Sequence, residues 1–192
     1  AEMTYQIMSD KRAVEILEKL QKTKIVGLMS QMLFKEANTR YALQAWNPHQ
    51  DNIYVKNTSK LNNGFTTQYL TTNFFLDSAD KINGTLYVYP GSHKSGLYEA
   101  EPNISYREIG DTNPGNKIPD KYLKEFNKVD CNFKKGDLLI LNGNLIHGSY
   151  PNKSNKSRPL LSVSYISHGE SFISGRNARR EARSLCGVID DK

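Results

Sequence analysis

Cysteine is nearly absent from this 192-residue chain: Cys131 and Cys186 are the only two. They are too few and too far apart for a CxxC metal site or a disulfide framework, which leaves two free thiols as the expectation. Apolar runs are short, and none approaches the length of a membrane span. The opening AEMTYQIMSD has neither the basic nor the apolar region of a signal peptide. These features predict a cytoplasmic protein with no membrane association. The first residue is not Met, so the natural N-terminus is expected to be incomplete. Internal repeats and low-complexity tracts are also missing.

What is present fits one globular domain over residues 1–192, with 38% hydrophobic and 24% charged residues. The formal charge of +6 raises the question of nucleic acid. Lys and Arg are scattered, however, except for the C-terminal group Arg176, Arg179, Arg180 and Arg183. A solvated face is the first reading of that group, small anions the second and nucleic acid a distant third.

Residues 10–22 have helical periodicity, with Asp10 as N-cap and Val14, Ile16, Leu17 and Leu20 forming an apolar side suited to packing on a sheet. From Lys24 onward the texture is that of short strands, at 25–35, 42–46, 52–55, 68–77, 85–89 and 129–133. Turns at Asn62-Asn63-Gly64, Ile82-Asn83-Gly84, Pro90-Gly91-Ser92 and Lys134-Lys135-Gly136-Asp137 separate them. Many strands and few helices predict a sandwich or an open barrel. Residues 95–128 are a long excursion with one short helix near 120–127, and its length suggests a lid.

The stretch GDLLILNGNLIHGSYPNKSNKSRPLLSVSY carries the first half of the chemistry. It reads as a hairpin of strands 138–146 and 158–166, with His147 and Ser149 on one face and Arg158, Ser162 and Ser164 on one face of the return. An imidazole can bind a metal, and a guanidinium beside a hydroxyl can hold a carboxylate. A surface hairpin facing water would show the same residues. The second half is Trp46-Asn47-Pro48-His49-Gln50-Asp51, where His49 and Asp51, two apart on extended backbone, face the same way. With His147 they make two imidazoles and one carboxylate, the ligand set of non-haem Fe(II) oxygenases. A lone His-x-Asp is a weak signal. It gains weight from Arg158, placed after His147 where it can anchor the far carboxylate of a chelating 2-oxo acid.

Taken in order, the pieces QMLFKEAN (31–38), HQD (49–51), INGTLYVYPGSHKSG (82–96), GDLLILNGNLIHGSYPN (136–152) and Arg158 resemble the phytanoyl-CoA dioxygenase family of Fe(II)- and 2-oxoglutarate-dependent oxygenases. The resemblance runs from Gln31 to about Arg180. It implies a mainly β fold, a double-stranded β-helix (jelly-roll, cupin-like) barrel with a few flanking helices. It further implies that His49, Asp51 and His147 bind Fe(II), that Arg158 and Ser149 hold the distal carboxylate of 2-oxoglutarate, and that Gln31 touches this co-substrate. Asn73 falls where many members carry Trp beside the co-substrate, and Lys35 matches a family Lys with no contact assigned. The implied reaction uses O2 and 2-oxoglutarate to hydroxylate a C–H bond of a small metabolite, releasing succinate and CO2. Asp51 favours hydroxylation over halogenation, since related halogenases carry a small residue there. Lys, Arg and Tyr near the expected pocket tilt the substrate toward an anion.

Other residues have plainer readings. His93 sits in a turn with a structural role, His168 is expected to be exposed or hydrogen-bonded locally, and Trp46 reads first as a packing residue and second as a substrate platform. Tyr54, just past the metal motif, is placed to line the substrate side. A barrel that binds a metal or small acid without turnover, or a zinc hydrolase with the same three ligands, is the competing class. Neither requires a carboxylate clamp.

Overall fold

The computed structural model describes residues 2–55, 69–102, 116–174 and 180–185. Two helices open the chain, α1 (Glu2–Met8) and α2 (Lys11–Gln21), followed by the long strand β1 (Ile25–Lys35). A 3-10 turn (Arg40–Leu43), β2 (Trp46–His49) and a second 3-10 turn (Asp51–Tyr54) lead to β3 (Tyr69–Phe75), β4 (Leu86–Val88) and the short pair β5 (Glu101–Pro102) and β6 (Asn116–Lys117). The one-turn helix α3 (Asp120–Leu123), β7 (Val129–Asp130), β8 (Leu138–Asn142), β9 (His147–Ser149) and β10 (Arg158–Ser167) complete the order. The larger sheet runs β1-β10-β3-β8 and the smaller β2-β9-β4-β7, both antiparallel. Among the described residues, no helix is long and apolar enough to cross a membrane.

This is the mainly β, jelly-roll class, but its strand pairing departs from the expected hairpin. Strands β8 and β10 lie in the larger sheet with β3 between them. Residues 143–146 turn the chain out of that sheet, so that β9, with His147 and Ser149, belongs to the smaller one. Alternation along a strand is a local property, whereas the choice of partner strand is set by burial far away in sequence. Two expected strands are also corrected. Residues 40–43 and 51–54 are 3-10 turns, and the strand near the first begins only at Trp46. Helix α1 carries too few residues for a periodicity signal and was not anticipated.

The cap of α2 is as expected: the Asp10 carboxylate accepts from the Arg12 and Ala13 amides at 3.0 and 3.4 Å. Lys22 in the left-handed region ends the helix. Only part of its apolar side is used, because Leu17 is fully buried while Ile16 and Leu20 face solvent. The helices cover the outer face of the larger sheet, where Met8, Leu17, Leu70, Leu161, Val163 and Tyr165 form one core. Between the sheets, Phe75, Leu86, Leu141 and Leu160 form a second. The described ends of the long excursion, 95–102 and 116–128, supply Tyr98, Ile118, Tyr122 and Phe126 to a third cluster with Tyr87, Tyr89 and Ile146. Tyr87 and Ile146 alternate with the inward Leu86 and His147, so this cluster lies on the outer face of the smaller sheet. The central part of the expected lid, 103–115, and the Asn62-Asn63-Gly64 turn lie outside the described residues.

Register then fixes what faces inward. On β10, Arg158, Leu160, Ser162, Ser164 and Ile166 alternate with the outward Leu161, Val163 and Tyr165 of the helix-covered core. Their partners on β1 and β3 continue each row across the sheet: Lys35 with Arg158, Gln31 and Asn73 with Ser162, Thr71 with Ser164, Tyr69 with Ile166.

Candidate active site

His49 and His147 face each other directly in the antiparallel pairing of β2 with β9, with ring centroids 4.3 Å apart. Gln50 is extended, so Asp51 returns to the same side as His49 before the chain enters its 3-10 turn. Asp51 Oδ1 lies 3.7 Å from His49 Nε2, and Oδ2 lies 4.0 Å from His147 Nε2. One ligand atom from each of the three residues falls within 4.8 Å of the others, and all three residues are buried. It is the group of His, Cys, Asp or Glu side chains found so placed among the described residues.

Neighbouring atoms prepare these side chains for an ion. His49 Nδ1 lies 2.8 Å from the Asn47 carbonyl and His147 Nδ1 lies 3.0 Å from that of Leu145. A carbonyl only accepts, so each Nδ1 carries the proton and each Nε2 keeps a lone pair that could bind an ion. Burial, and then the adjacent His147, lower the pKa of His49, which keeps its imidazole neutral. Thr71 on β3 donates its hydroxyl to Asp51 Oδ2 at 2.5 Å and so fixes the carboxylate from the opposite sheet. Gln50 points away from the cluster and ties the segment down, donating to the Gly96 and Asn144 carbonyls at 2.8 and 2.5 Å and accepting from the Tyr98 amide at 2.9 Å. Asn52 adds a 2.6 Å bond to Asn144 Oδ1. Between His147 and Ser149, Gly148 leaves room for the Tyr87 hydroxyl, which donates to the Trp46 carbonyl at 3.0 Å. A Cβ at Gly148 would collide with both groups.

A second polar centre lies at the Arg158 end of β10. Arg158 is 1% exposed, and its Nε and Nη1 have no hydrogen-bond partner. Burial lowers its pKa to about 10, so it stays charged at neutral pH. Lys35, opposite Arg158 in register, is 2% exposed. Its Nζ donates to Ser149 Oγ at 2.8 Å, to the Gly84 carbonyl at 3.3 Å and, over a shorter contact, to the Tyr150 carbonyl. Gly84, at φ 90, brings its carbonyl to Lys35 without a side chain in the way. Burial, and then the neighbouring Arg158 charge, push the Lys35 pKa down to about 6.

The residues singled out from sequence therefore fall into ordered places. His49, Asp51 and His147 meet. Ser149 and Arg158 sit on facing sheets with Lys35 linking their neighbourhoods, rather than side by side in a hairpin. Gln31 and Asn73 flank Ser162 in the same inward row. His93 lies in a 3-10 turn apart from the cluster, and His168 is exposed. The Trp46 ring packs 5.6 Å from that of His49. Arg180 departs from the solvated face expected for the C-terminal arginines, since it is 7% exposed. Sequence reasoning missed Thr71, Gln50, Asn52 and Asn144, and left Lys35 without a contact. Only for Gln50 and Asn52, which bracket Asp51, was there a positional hint.

A sequence-family model described as Phytanoyl-CoA dioxygenase matches residues 5–160. Phytanoyl-CoA dioxygenase 1 of Oryza sativa subsp. japonica is 37% identical over 121 residues, covering 62% of this chain and 38% of the relative. The Phytanoyl-CoA dioxygenase of Arabidopsis thaliana is 32% identical over 122 residues, with the same coverage of 62% and 38%. The matched part thus spans well under half the length of these curated relatives. Among solved structures, EctD from S. alaskensis, with 2-oxoglutarate and 5-hydroxyectoine, aligns with a TM-score of 0.68 at 18% identity, covering 93% of this chain and 60% of that one. The epimerase SnoN in complex with Fe3+, alpha ketoglutarate and nogalamycin RO aligns at 0.65 and 19%, covering 98% and 72%. At such identities these two structures establish the fold.

Proposed function

This chain belongs to the phytanoyl-CoA dioxygenase family, and on that premise we propose that it is an Fe(II)- and 2-oxoglutarate-dependent dioxygenase that hydroxylates a C–H bond of a small anionic metabolite. His49, Asp51 and His147 would hold the iron. Their three ligand atoms suit one face of an octahedral ion and leave positions for a chelating co-substrate and O2. Arg158, Ser149 and Lys35 would hold the distal carboxylate of 2-oxoglutarate, with Gln31 and Asn73 along the intervening row.

The observation that carries this reading is the buried Arg158, whose Nε and Nη1 find no acceptor. Buried donors without partners are rare and cost about 1–3 kcal/mol each. A carboxylate accepts from both at once and matches the guanidinium fork. A zinc hydrolase or a simple metal-binding barrel gives no use for such a clamp beside a ligand triad. When bound, iron and 2-oxoglutarate supply oxygen activation coupled to oxidative decarboxylation, with succinate and CO2 as co-products. The chain's own part is positional. The Nδ1 bonds orient both imidazoles, Thr71 holds the carboxylate, and the apolar residues between the sheets exclude water. EctD, solved with 2-oxoglutarate, and SnoN, solved with Fe3+ and alpha ketoglutarate, share this fold, which supports the same assignment.

Anaerobic addition of Fe(II) and 2-oxoglutarate tests it. A visible charge-transfer band in the wild type, lost in Asp51→Ala, is the expected result. A wild type that binds Fe(II) but develops no band on adding 2-oxoglutarate would refute the reading.

A further inference from the structure

Arg180 is a second buried guanidinium, and its surroundings differ from those of Arg158. It reaches the interior because the chain after β10 is tied down on both sides. Phe172 bridges Val55, the Ile173 amide donates to the Tyr54 carbonyl at 2.7 Å, and the amides of Glu181 and Arg183 donate to the carbonyls of Leu28 and Gly27 at 3.1 and 2.8 Å. The guanidinium carbon stacks 3.5 Å above the Tyr54 ring centroid. Nε donates to the Tyr69 hydroxyl at 3.3 Å and Nη1 to the Ile173 carbonyl at 3.4 Å, both at the long end of the range. With a further bond from the guanidinium to the Tyr54 hydroxyl, these use three of the five N–H donors. Among the described residues, no carboxylate lies within ion-pair distance of Arg180.

Strand register gives its position relative to the metal ligands. Along β10, Arg158 pairs with Lys35, Ser164 pairs with Thr71, the donor to Asp51, and Ile166 pairs with Tyr69, the acceptor from Arg180. At ~3.3 Å per residue, Thr71 lies roughly 20 Å of strand from Arg158, and Tyr69 lies one inward row further on. The metal cluster therefore lies between the two guanidinium groups. Tyr54 closes the 3-10 turn that Asp51 opens, so its ring stays next to the ligand segment; burial, and then the Asp51 carboxylate, push its hydroxyl upward, to about 12. Tyr54 and Tyr69 stay protonated, so neither neutralises Arg180.

We propose that Arg180 anchors a carboxylate or phosphate group of the primary substrate, on the side of the metal opposite to Arg158. This deepens the oxygenase reading and rests on it. Stacking on Tyr54 holds the guanidinium plane, and the unused N–H groups provide a fork that an anion can satisfy bidentately. A neutral substrate would leave those donors unmatched and the charge uncompensated.

The test uses the anaerobic Fe(II)–2-oxoglutarate complex and reads the shift of its charge-transfer band when a second small molecule enters. The probes are benzoate and butyl phosphate, with benzamide and butanol as their neutral counterparts. The anions are expected to shift the wild-type band, with at least tenfold lower apparent affinity in Arg180→Gln and an intermediate loss in Arg180→Lys. Neutral probes acting as strongly as the anions, no response to either anion, or an unaltered response in Arg180→Gln would overturn the proposal. An anion that displaces 2-oxoglutarate at Arg158 bleaches the band rather than shifting it, and counts against Arg180 as well. Arg180→Lys, which keeps the charge and most of the side chain's volume, supplies the comparison if Arg180→Gln does not fold. A missing band in wild type before any probe is added marks instead the failure of the oxygenase reading.

Discussion

Lys35 ends the edge strand of the larger sheet, Ser149 ends a strand of the smaller one, and the 2.8 Å bond between Lys35 Nζ and Ser149 Oγ joins the two. Among the described residues Lys35 has no carboxylate partner, and it faces the Arg158 charge. Of two cations in one buried place, the lysine is the one that yields its proton, with a pKa near 6, and its neutral amine then keeps two N–H groups to share among the three acceptors around it. A carboxylate arriving between the two side chains would restore the proton. Binding of 2-oxoglutarate is therefore expected to take up a proton above pH 6, and its affinity to fall as pH rises from 6.5 to 8.5. Calorimetry in buffers of different ionisation enthalpy measures the uptake directly. A pH-independent affinity in the wild type, or the same slope in Lys35→Met, would contradict this role.

The same shift bears on stability. Unfolded lysine titrates near 10.4, so between about pH 6 and 10 the unfolded chain binds the proton that folded Lys35 lacks. Stability contributed by this group is thus highest above the unfolded pKa and is lost as pH falls toward 6. Its slope is at most about 1.4 kcal/mol per pH unit. Urea unfolding at several pH values should show a smaller pH dependence for Lys35→Met than for wild type.

Arg158→Ala should keep its iron and lose 2-oxoglutarate affinity by the equivalent of ~2–5 kcal/mol, the usual cost of stripping one partner from a shielded charged pair. Arg158→Lys should recover only part, since an ammonium lacks two parallel donors. Iron content and 2-oxoglutarate affinity across the three proteins decide it. A folded Arg158→Ala with normal co-substrate binding would remove the main support for the reaction class.

Thr71→Val removes the hydroxyl that holds Asp51 while keeping the side chain's shape. Fe(II) affinity is expected to drop about 10–100-fold, as for other groups that orient a metal ligand. Isothermal titration with unchanged thermal stability would separate this from a folding defect. An unaltered Fe(II) affinity would mean that Asp51 is oriented by other contacts.

At the far end of the chain's order, Asp10→Ala should cost about 1 kcal/mol through loss of the α2 cap. The Arg12 guanidinium, bonded to the Asp10 carboxylate at 2.8 and 3.1 Å, holds its pKa down to about 2. The cap therefore persists above pH 4 and weakens as pH falls toward 2. A melting temperature unchanged at pH 7 in Asp10→Ala would show that helix packing alone carries α2.

Much of this was written locally. The extent of β1 followed from residue type, the α2 cap from Asp10, and the shared direction of His49 and Asp51 from their spacing, because each depends on backbone geometry over a few residues. The order of motifs also determined the family. What the sequence did not contain was the partner of each strand. The chain from Gly136 to Tyr165 has the local pattern of a hairpin, yet β3 takes the place between its arms and β9 joins the other sheet. That outcome depends on which apolar faces can be buried together, a sum over distant residues. The contact of Lys35 with Ser149, the support of Asp51 by Thr71 and the burial of Arg180 all follow from that non-local choice. Each was decided by the tertiary structure, because a polar side chain's partner is whatever the facing strand happens to present.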